Sequence, residues 1–241
     1  EWDYGAYEGR RTVDIRQDDA FQYRIQLGGL TAGVMVTFPG SAVKDSANRL
    51  IGFNKQRHDK VLRKLIKRYP EADIKLRGDA FQSLARAIVG QQISVKAAQS
   101  IWARFTDCVG KVTPANVVAK EPEALRACGF SGQKVAYVRD LAARFHSGEV
   151  KPRRWRTMQD EAIIEDLVAV KGIGRWTAEM FLMFPLARPN VLPVDDLGLQ
   201  RAMERNYNAG KALTKDRMRA IGAPWAPWCS VGTWYMWRSL E

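Results

Sequence analysis

Residues 167–203, LVAVKGIGRWTAEMFLMFPLARPNVLPVDDLGLQRAM, decide how the chain reads. The apolar spacing before Lys171 and after Arg175 is that of two short helices, joined by the turn Gly172-Ile173-Gly174. Glycine admits backbone conformations that a Cβ hinders, so a helix-hairpin-helix is expected. The second helix then starts with unpaired N–H groups and the positive end of its dipole, which suits a phosphate oxygen. A plain interhelical turn is the alternative for a Gly-x-Gly taken alone. Ile173 is the expected apolar plug between the glycines, and Thr177 and Ala178 keep the second helix slim. Twenty residues on, the apolar run Val191-Leu192-Pro193-Val194 ends at two adjacent acids, Asp195 and Asp196.

That acid pair stands in a strongly basic chain. Lysine and arginine total 38 against 26 acids, a net charge of +12, and this excess points to a polyanion such as nucleic acid. An acidic membrane surface is the competing partner, but no apolar run approaches the ~18–20 residues of a span, and no signal peptide is recognised. The chain reads as intracellular: cytoplasm or nucleoid in a bacterium, nucleus in a eukaryote. Cys108, Cys128 and Cys229 are widely spaced and odd in number, which fits reduced thiols. They cannot form a four-cysteine cluster, and with only two histidines a side-chain metal cage is not expected.

With 241 residues there is enough chain to bury a large core. Residues 1–50 read as a small N-terminal antiparallel β segment. Phe21, Tyr23, Ile25 and Leu27 alternate, Gly28-Gly29 turn, Val34, Val36 and Phe38 follow, and a further strand is expected near Val13 and Ile15. From there, residues 51–241 read as helical. Val61, Leu62, Leu65, Ile66 and Tyr69 form one stripe that Pro70 ends, and Phe81, Leu84, Ile88, Ile93, Ala97, Ile101 and Phe105 form another, broken at Gly90. Shorter helices are expected at 114–119, 121–127, 131–147, 160–169, 175–184, 195–205, 214–221 and 226–238.

Four stretches together, RAIVGQQISVKAA, ACGFSGQKVAYVRDLA, the 167–203 segment and PWAPWCSVGTWYMW, resemble in order the helix-hairpin-helix DNA glycosylase superfamily, DNA-3-methyladenine glycosylase II branch. The resemblance covers about 52–240. Residues 1–50 do not resemble the larger N-terminal sheet domain of the long members. The fold it implies is mostly α, two helical lobes around a DNA-binding cleft carrying the helix-hairpin-helix, with the small β segment in front.

The activity it implies is hydrolytic excision of alkylated purines of the 3-methyladenine type from duplex DNA by a monomer, leaving an abasic site. The essential aspartate maps to Asp196, which would stabilise the developing sugar cation and orient or deprotonate water. Asp195 reads instead as a helix cap, the role that is also the alternative for Asp196. Lyase members carry a lysine after Arg175. Here that position is Trp176, so water is the nucleophile. Trp176 and Trp237 match the aromatic base pocket, where a cationic purine over an indole face gains about 0.5–2 kcal/mol. Trp102, Trp155 and Trp234 read as core, as do Trp225 and Trp228. The wedge that fills the gap left by an everted base maps to Gln92, with Gln91 its neighbour in the same loop. Gly172, Gly174, Arg175, Thr177 and Lys171 are the expected DNA-backbone contacts. No cofactor for catalysis is implied, only a structural sodium or potassium on the carbonyls of Val168, Val170 and Ile173. Two other readings stay open, a non-catalytic helix-hairpin-helix DNA-binding protein and a glycosylase-lyase of the endonuclease III type.

Overall fold

The computed structural model describes residues 23–27, 30–35, 59–69 and 79–241. Strands β1 (Tyr23–Leu27) and β2 (Leu30–Met35) pair antiparallel with Ile25 opposite Ala32 and Leu27 opposite Leu30. The strand expected near Val13 and Ile15, the Gly28-Gly29 turn and the outer positions of this segment lie outside the described residues. Everything else described is helical or loop, and no helix among the described residues is long and apolar enough to cross a membrane.

The chain divides into two compact units, with a boundary between Phe181 and Leu182. The described part of the first runs from residue 79 to 181 and holds α2 (Ala80–Gly90), α3 (Val95–Val109), α4 (Pro114–Val118), α5 (Pro122–Ala127), α6 (Gly132–Ser147), α7 (Asp160–Val168) and most of α8 (Arg175–Met183). Each of α2, α3, α4 and α6 begins where a short polar side chain accepts a backbone N–H of its first turn: Asp79, Ser94, Thr113 and Ser131. The expected break at Gly90 is present, with Gln91 ending α2. One face of α2 (Phe81, Leu84, Ala85, Ile88, Val89) is buried and packs against α6, whose Val138 and Leu141 are fully enclosed. Edge-on ring contacts run from Phe81 to Phe145 (5.4 Å), on to Trp155 (6.4 Å) and to Phe181 (5.3 Å).

In the second unit, which also takes in the two strands, residues 59–69 and 182–241 are described. They form α1 (Lys60–Arg68), α9 (Leu197–Tyr207), α10 (Lys215–Gly222) and α11 (Cys229–Arg238). Its core joins Leu62 and Leu65 of α1 to Leu199, Met203, Met218, Trp225, Tyr235 and Met236. Burying each such side chain contributes about 1.5–3 kcal/mol. Asp59 ties this unit together through both carboxylate oxygens. Its Oδ1 accepts the N–H groups of Val61 and Leu62, capping α1, and its Oδ2 accepts the Tyr207 hydroxyl at 2.6 Å and the Trp225 indole N–H at 3.1 Å.

Two helix starts differ from the sequence expectation by two residues or more. The last helix starts at Cys229, not 226, because Pro224 and Pro227 interrupt it and residues 223–225 close a separate 3-10 turn. The helix after the acid pair starts at Leu197, not 195, for a reason that belongs to the site.

Candidate active site

Asp196 is the N-cap of α9. Its backbone is extended (φ −74°, ψ 120°), and its Oδ1 accepts the Leu199 N–H at 2.6 Å. Asp195, expected as the cap, is exposed and forms an ion pair with Lys215. The correction follows from the turn: the Asp196 N–H turns back to the Pro193 carbonyl at 2.9 Å, and the Asp196 carbonyl accepts the Gln200 N–H at 2.9 Å, so the cap is Asp196 rather than Asp195.

Capping does not account for all of Asp196. The side chain is 3% exposed, and the same Oδ1 accepts the indole N–H of Trp237 at 2.7 Å, from the far end of α11. Trp237 is buried and stacks on Phe184, ring centroids 6.0 Å apart and 17° from parallel. The loop that delivers the acid is stitched to the start of α11. Ser230 accepts the Val191 N–H at 3.0 Å, donates its hydroxyl to the Arg188 carbonyl at 2.6 Å, and sends its own N–H to Pro189 at 2.9 Å. Gln200 holds the Val194 carbonyl at 2.8 Å. The result is a carboxylate oriented by two N–H donors, kept from water and set beside an apolar wall. Such a group stabilises a nearby positive charge far better than an exposed acid does.

In the first unit the hairpin has its own logic. Gly172 takes φ +82°, and a Cβ there would stand 2.1 Å from the Tyr137 ring of α6. Only glycine fits. Gly174 differs, because a Cβ there would meet nothing within 4 Å. The buried plug is Ile173, 3% exposed, whose N–H donates to Val170 at 3.1 Å. Lys171 is exposed, and its main-chain N–H is held by Asp140 at 2.9 Å.

The expected backbone contacts are unequally placed. Arg175 directs its guanidinium at two carboxylates, donating to both oxygens of Glu161 (2.9 Å for the Nη2 bond) and through Nε to Glu179 at 3.1 Å. The hydrogen bond to Arg175 holds Glu161 below its ordinary carboxylate range, and the same bond raises the arginine. A phosphate at Arg175 would have to compete with Glu161. Thr177 is 8% exposed, so it is buried and offers little surface to a ligand. Trp176 is half-buried.

The two glutamines also separate. Gln91 Nε2 donates to the Gly172 carbonyl at 2.8 Å, joining its loop to the hairpin, whereas Gln92 is exposed at the loop tip with φ +58°. A non-glycine residue in the left-handed region is strained by about 1–3 kcal/mol, a feature that gathers at ligand sites. Among the described residues, no group of three or more His, Cys, Asp or Glu could hold a metal. Of the carbonyls of Val168, Val170 and Ile173, that of Val170 accepts the Ile173 N–H at 3.1 Å.

Comparison with known proteins decides the lineage. Residues 85–227 match the family described as HhH-GPD superfamily base excision DNA repair protein. The chain belongs to that superfamily. Among its relatives, the putative DNA-3-methyladenine glycosylase YfjP of Bacillus subtilis is 31% identical over 169 residues. The match covers 67% of this chain and 59% of YfjP, so this HhH-GPD chain spans less than two thirds of that relative's length. The crystal structure of a DNA-3-methyladenine glycosidase from Bacillus halodurans superposes with a TM-score of 0.74 at 36% identity, covering 78% of this chain and 87% of that one. The Schizosaccharomyces pombe 3-methyladenine DNA glycosylase, solved with abasic DNA, gives a TM-score of 0.66 at 30% identity, covering 77% and 96%.

Sequence reasoning about this HhH-GPD chain missed four partners. Trp237 was read as a wall for the base, and its N–H on Asp196 went unseen. The carboxylates facing Arg175 were also missed, although Glu179 lies four residues ahead on the same helix, where a partner is expected. Asp140, which holds the hairpin entrance, left no local signal.

Proposed function

We propose that this chain is a monofunctional DNA glycosylase that everts alkylated purines of the 3-methyladenine type from duplex DNA and hydrolyses their glycosidic bond. One observation carries the reading: in a chain of net charge +12, Asp196 is a buried carboxylate held by two neutral N–H donors where its cap role would need only one. In the reaction, the C1′–N bond breaks with its electron pair leaving on the purine, and the sugar carries positive charge that Asp196 stabilises. A water oxygen then bonds to C1′, and its proton passes to the carboxylate. A purine alkylated at N3 or N7 is already cationic, so its departure calls for little acid catalysis.

Gln92 is the wedge in this reading, and Gln91 anchors its loop. Trp176 lines the base pocket, while Trp237 contributes to that wall and orients the acid. The open space at Gly174, with the N–H groups that begin α8, supports a phosphate at Gly172 and Gly174, and Lys171 lies at their side. A sodium or potassium ion would rest on the carbonyls of Val168, Val170 and Ile173, fixing the turn. Residues 1–50 are read as an antiparallel β segment with no assigned part in the reaction, and the protein acts as a monomer. Trp176 stands where lyase relatives carry lysine, so strand cleavage is not expected.

The test is base release from methylated genomic DNA, with chromatography of the freed purines, for the native protein and Asp196→Asn. Release by the native protein alone supports the reading; equal release by both overturns it, and trapping of a protein–DNA adduct by borohydride would establish a lyase in its place.

A further inference from the structure

Lys134 sits in the first turn of α6, three residues after the cap Ser131 and with no acid in that turn. A cation there opposes the dipole of its own helix. The side chain instead reaches the end of α2, where its Nζ donates to the carbonyls of Val89 at 2.7 Å and Gln91 at 2.8 Å. These oxygens close the C-terminal, negative end of α2 and open the Gln91–Gln92 loop, so what is unfavourable for α6 is favourable for α2. Lys134 is half-buried, and partial loss of water lowers its tendency to hold a proton.

The same helix holds the hairpin. Tyr137, one turn on, lies under Gly172 and accepts the Gln133 amide at 2.7 Å on its hydroxyl, and Asp140 takes the Lys171 N–H at 2.9 Å. Gln91 then links loop and hairpin directly through the Gly172 carbonyl. The geometry points to Lys134 as a positioning residue that locks the Gln91–Gln92 loop to the hairpin, so that Gln92 enters the duplex at a set distance from the phosphate at Gly172–Gly174. This rests on the glycosylase reading for its consequence and on the contacts of one compact unit for its mechanics. Lys134 touches neither sugar nor base. Its effect falls on the eversion step, after encounter and before bond cleavage.

The experiment compares the native protein with Lys134→Met, which keeps the chain length and removes the donors, and Lys134→Arg, which restores charge and donors. Single-turnover excision should fall about tenfold to a hundredfold in Lys134→Met, the scale of a misplacement near 1 Å. Affinity for a duplex with a preformed abasic site, where no base remains to be everted, should stay within about twofold, and Lys134→Arg should recover most of the rate. Excision by Lys134→Met at the native rate, failure of Lys134→Arg to rescue, or a parallel loss of abasic-site affinity would each overturn the assignment. Amide hydrogen exchange at Gln92–Ser94 separates the two readings, since it requires no activity: about tenfold faster exchange in Lys134→Met is expected. If the native protein releases no base, the glycosylase reading fails, and unchanged exchange in Lys134→Met overturns the loop-locking role by itself.

Discussion

The Trp237 indole N–H lies 2.7 Å from Asp196 Oδ1, and the Leu199 N–H lies 2.6 Å from the same oxygen. One atom therefore serves as a helix cap and as the anchor of a buried carboxylate. Asparagine can reproduce both bonds with its amide oxygen but not the charge. Asp196→Asn should unfold within a few degrees of the native protein while excision falls by about a hundredfold or more. Asp196→Ala also loses the cap and strands a buried N–H, and should be destabilised by about 2 kcal/mol or more in denaturant titration.

Trp237→Phe keeps a ring against Phe184 but removes the N–H together with part of the buried indole. Stability should drop by about 2 kcal/mol or more, from the lost hydrogen bond and the space left behind, and the single-turnover rate by roughly tenfold, as the carboxylate gains freedom. A rate equal to the native one would show that the Trp237 N–H does not orient the acid.

The two hairpin glycines should behave oppositely. Gly172→Ala meets Tyr137 at 2.1 Å and a left-handed backbone, so a loss of roughly 2–4 kcal/mol of stability is expected. Gly174→Ala meets nothing within the chain and should change stability by under about 0.5 kcal/mol. DNA affinity of Gly174→Ala should nevertheless fall about tenfold, the effect of blocking one hydrogen bond to a phosphate. Thermal melts paired with binding isotherms separate the two outcomes.

Salt should govern encounter. If lysines and hairpin amides neutralise phosphates, log affinity falls linearly with log salt at about −0.9 per phosphate contacted. Lys171→Ala should reduce that slope by about one, whereas a flat native response would remove the basic surface from the account.

Burial pushes the Cys229 and Cys128 thiols up to about 11 from 9.0. A thiol that holds its proton more tightly when folded stabilises the native state fully below pH 9, and that contribution is lost as pH rises through about 11. Denaturant midpoints should decline over that window, and Cys229→Ala should make the decline shallower.

Which parts of this were legible beforehand follows from the range of the interactions. Apolar spacing and breakers gave the helices of 79–241 to within a few residues, because caps such as Ser94, Thr113 and Ser131 act over three residues. That the turn needs glycine was legible for the same reason, but the pattern did not say that the need falls on Gly172 and not on Gly174. What escaped was distant pairing: Trp237 to Asp196 spans 41 residues, Lys134 to the α2 end spans 43 and 45, and Asp59 to Tyr207 and Trp225 spans 148 and 166. Periodicity says that a face is covered without saying by what. Lys134 alone left a local trace, a cation in a first turn where its own helix would favour an acid.

Asp59 bears on where this protein can be cut. The stretch that matches the family begins at residue 85 and ends at 227, yet the carboxylate that binds Tyr207 and Trp225, and the leucines 62 and 65 that roof the same core, lie upstream, while the whole of α11 lies downstream. A fragment trimmed to the recognisable region would carry the helix-hairpin-helix and Asp196 but lose the Trp237 that aims it, and would open the second unit's interior to water. The portion that records ancestry is thus smaller than the portion able to fold.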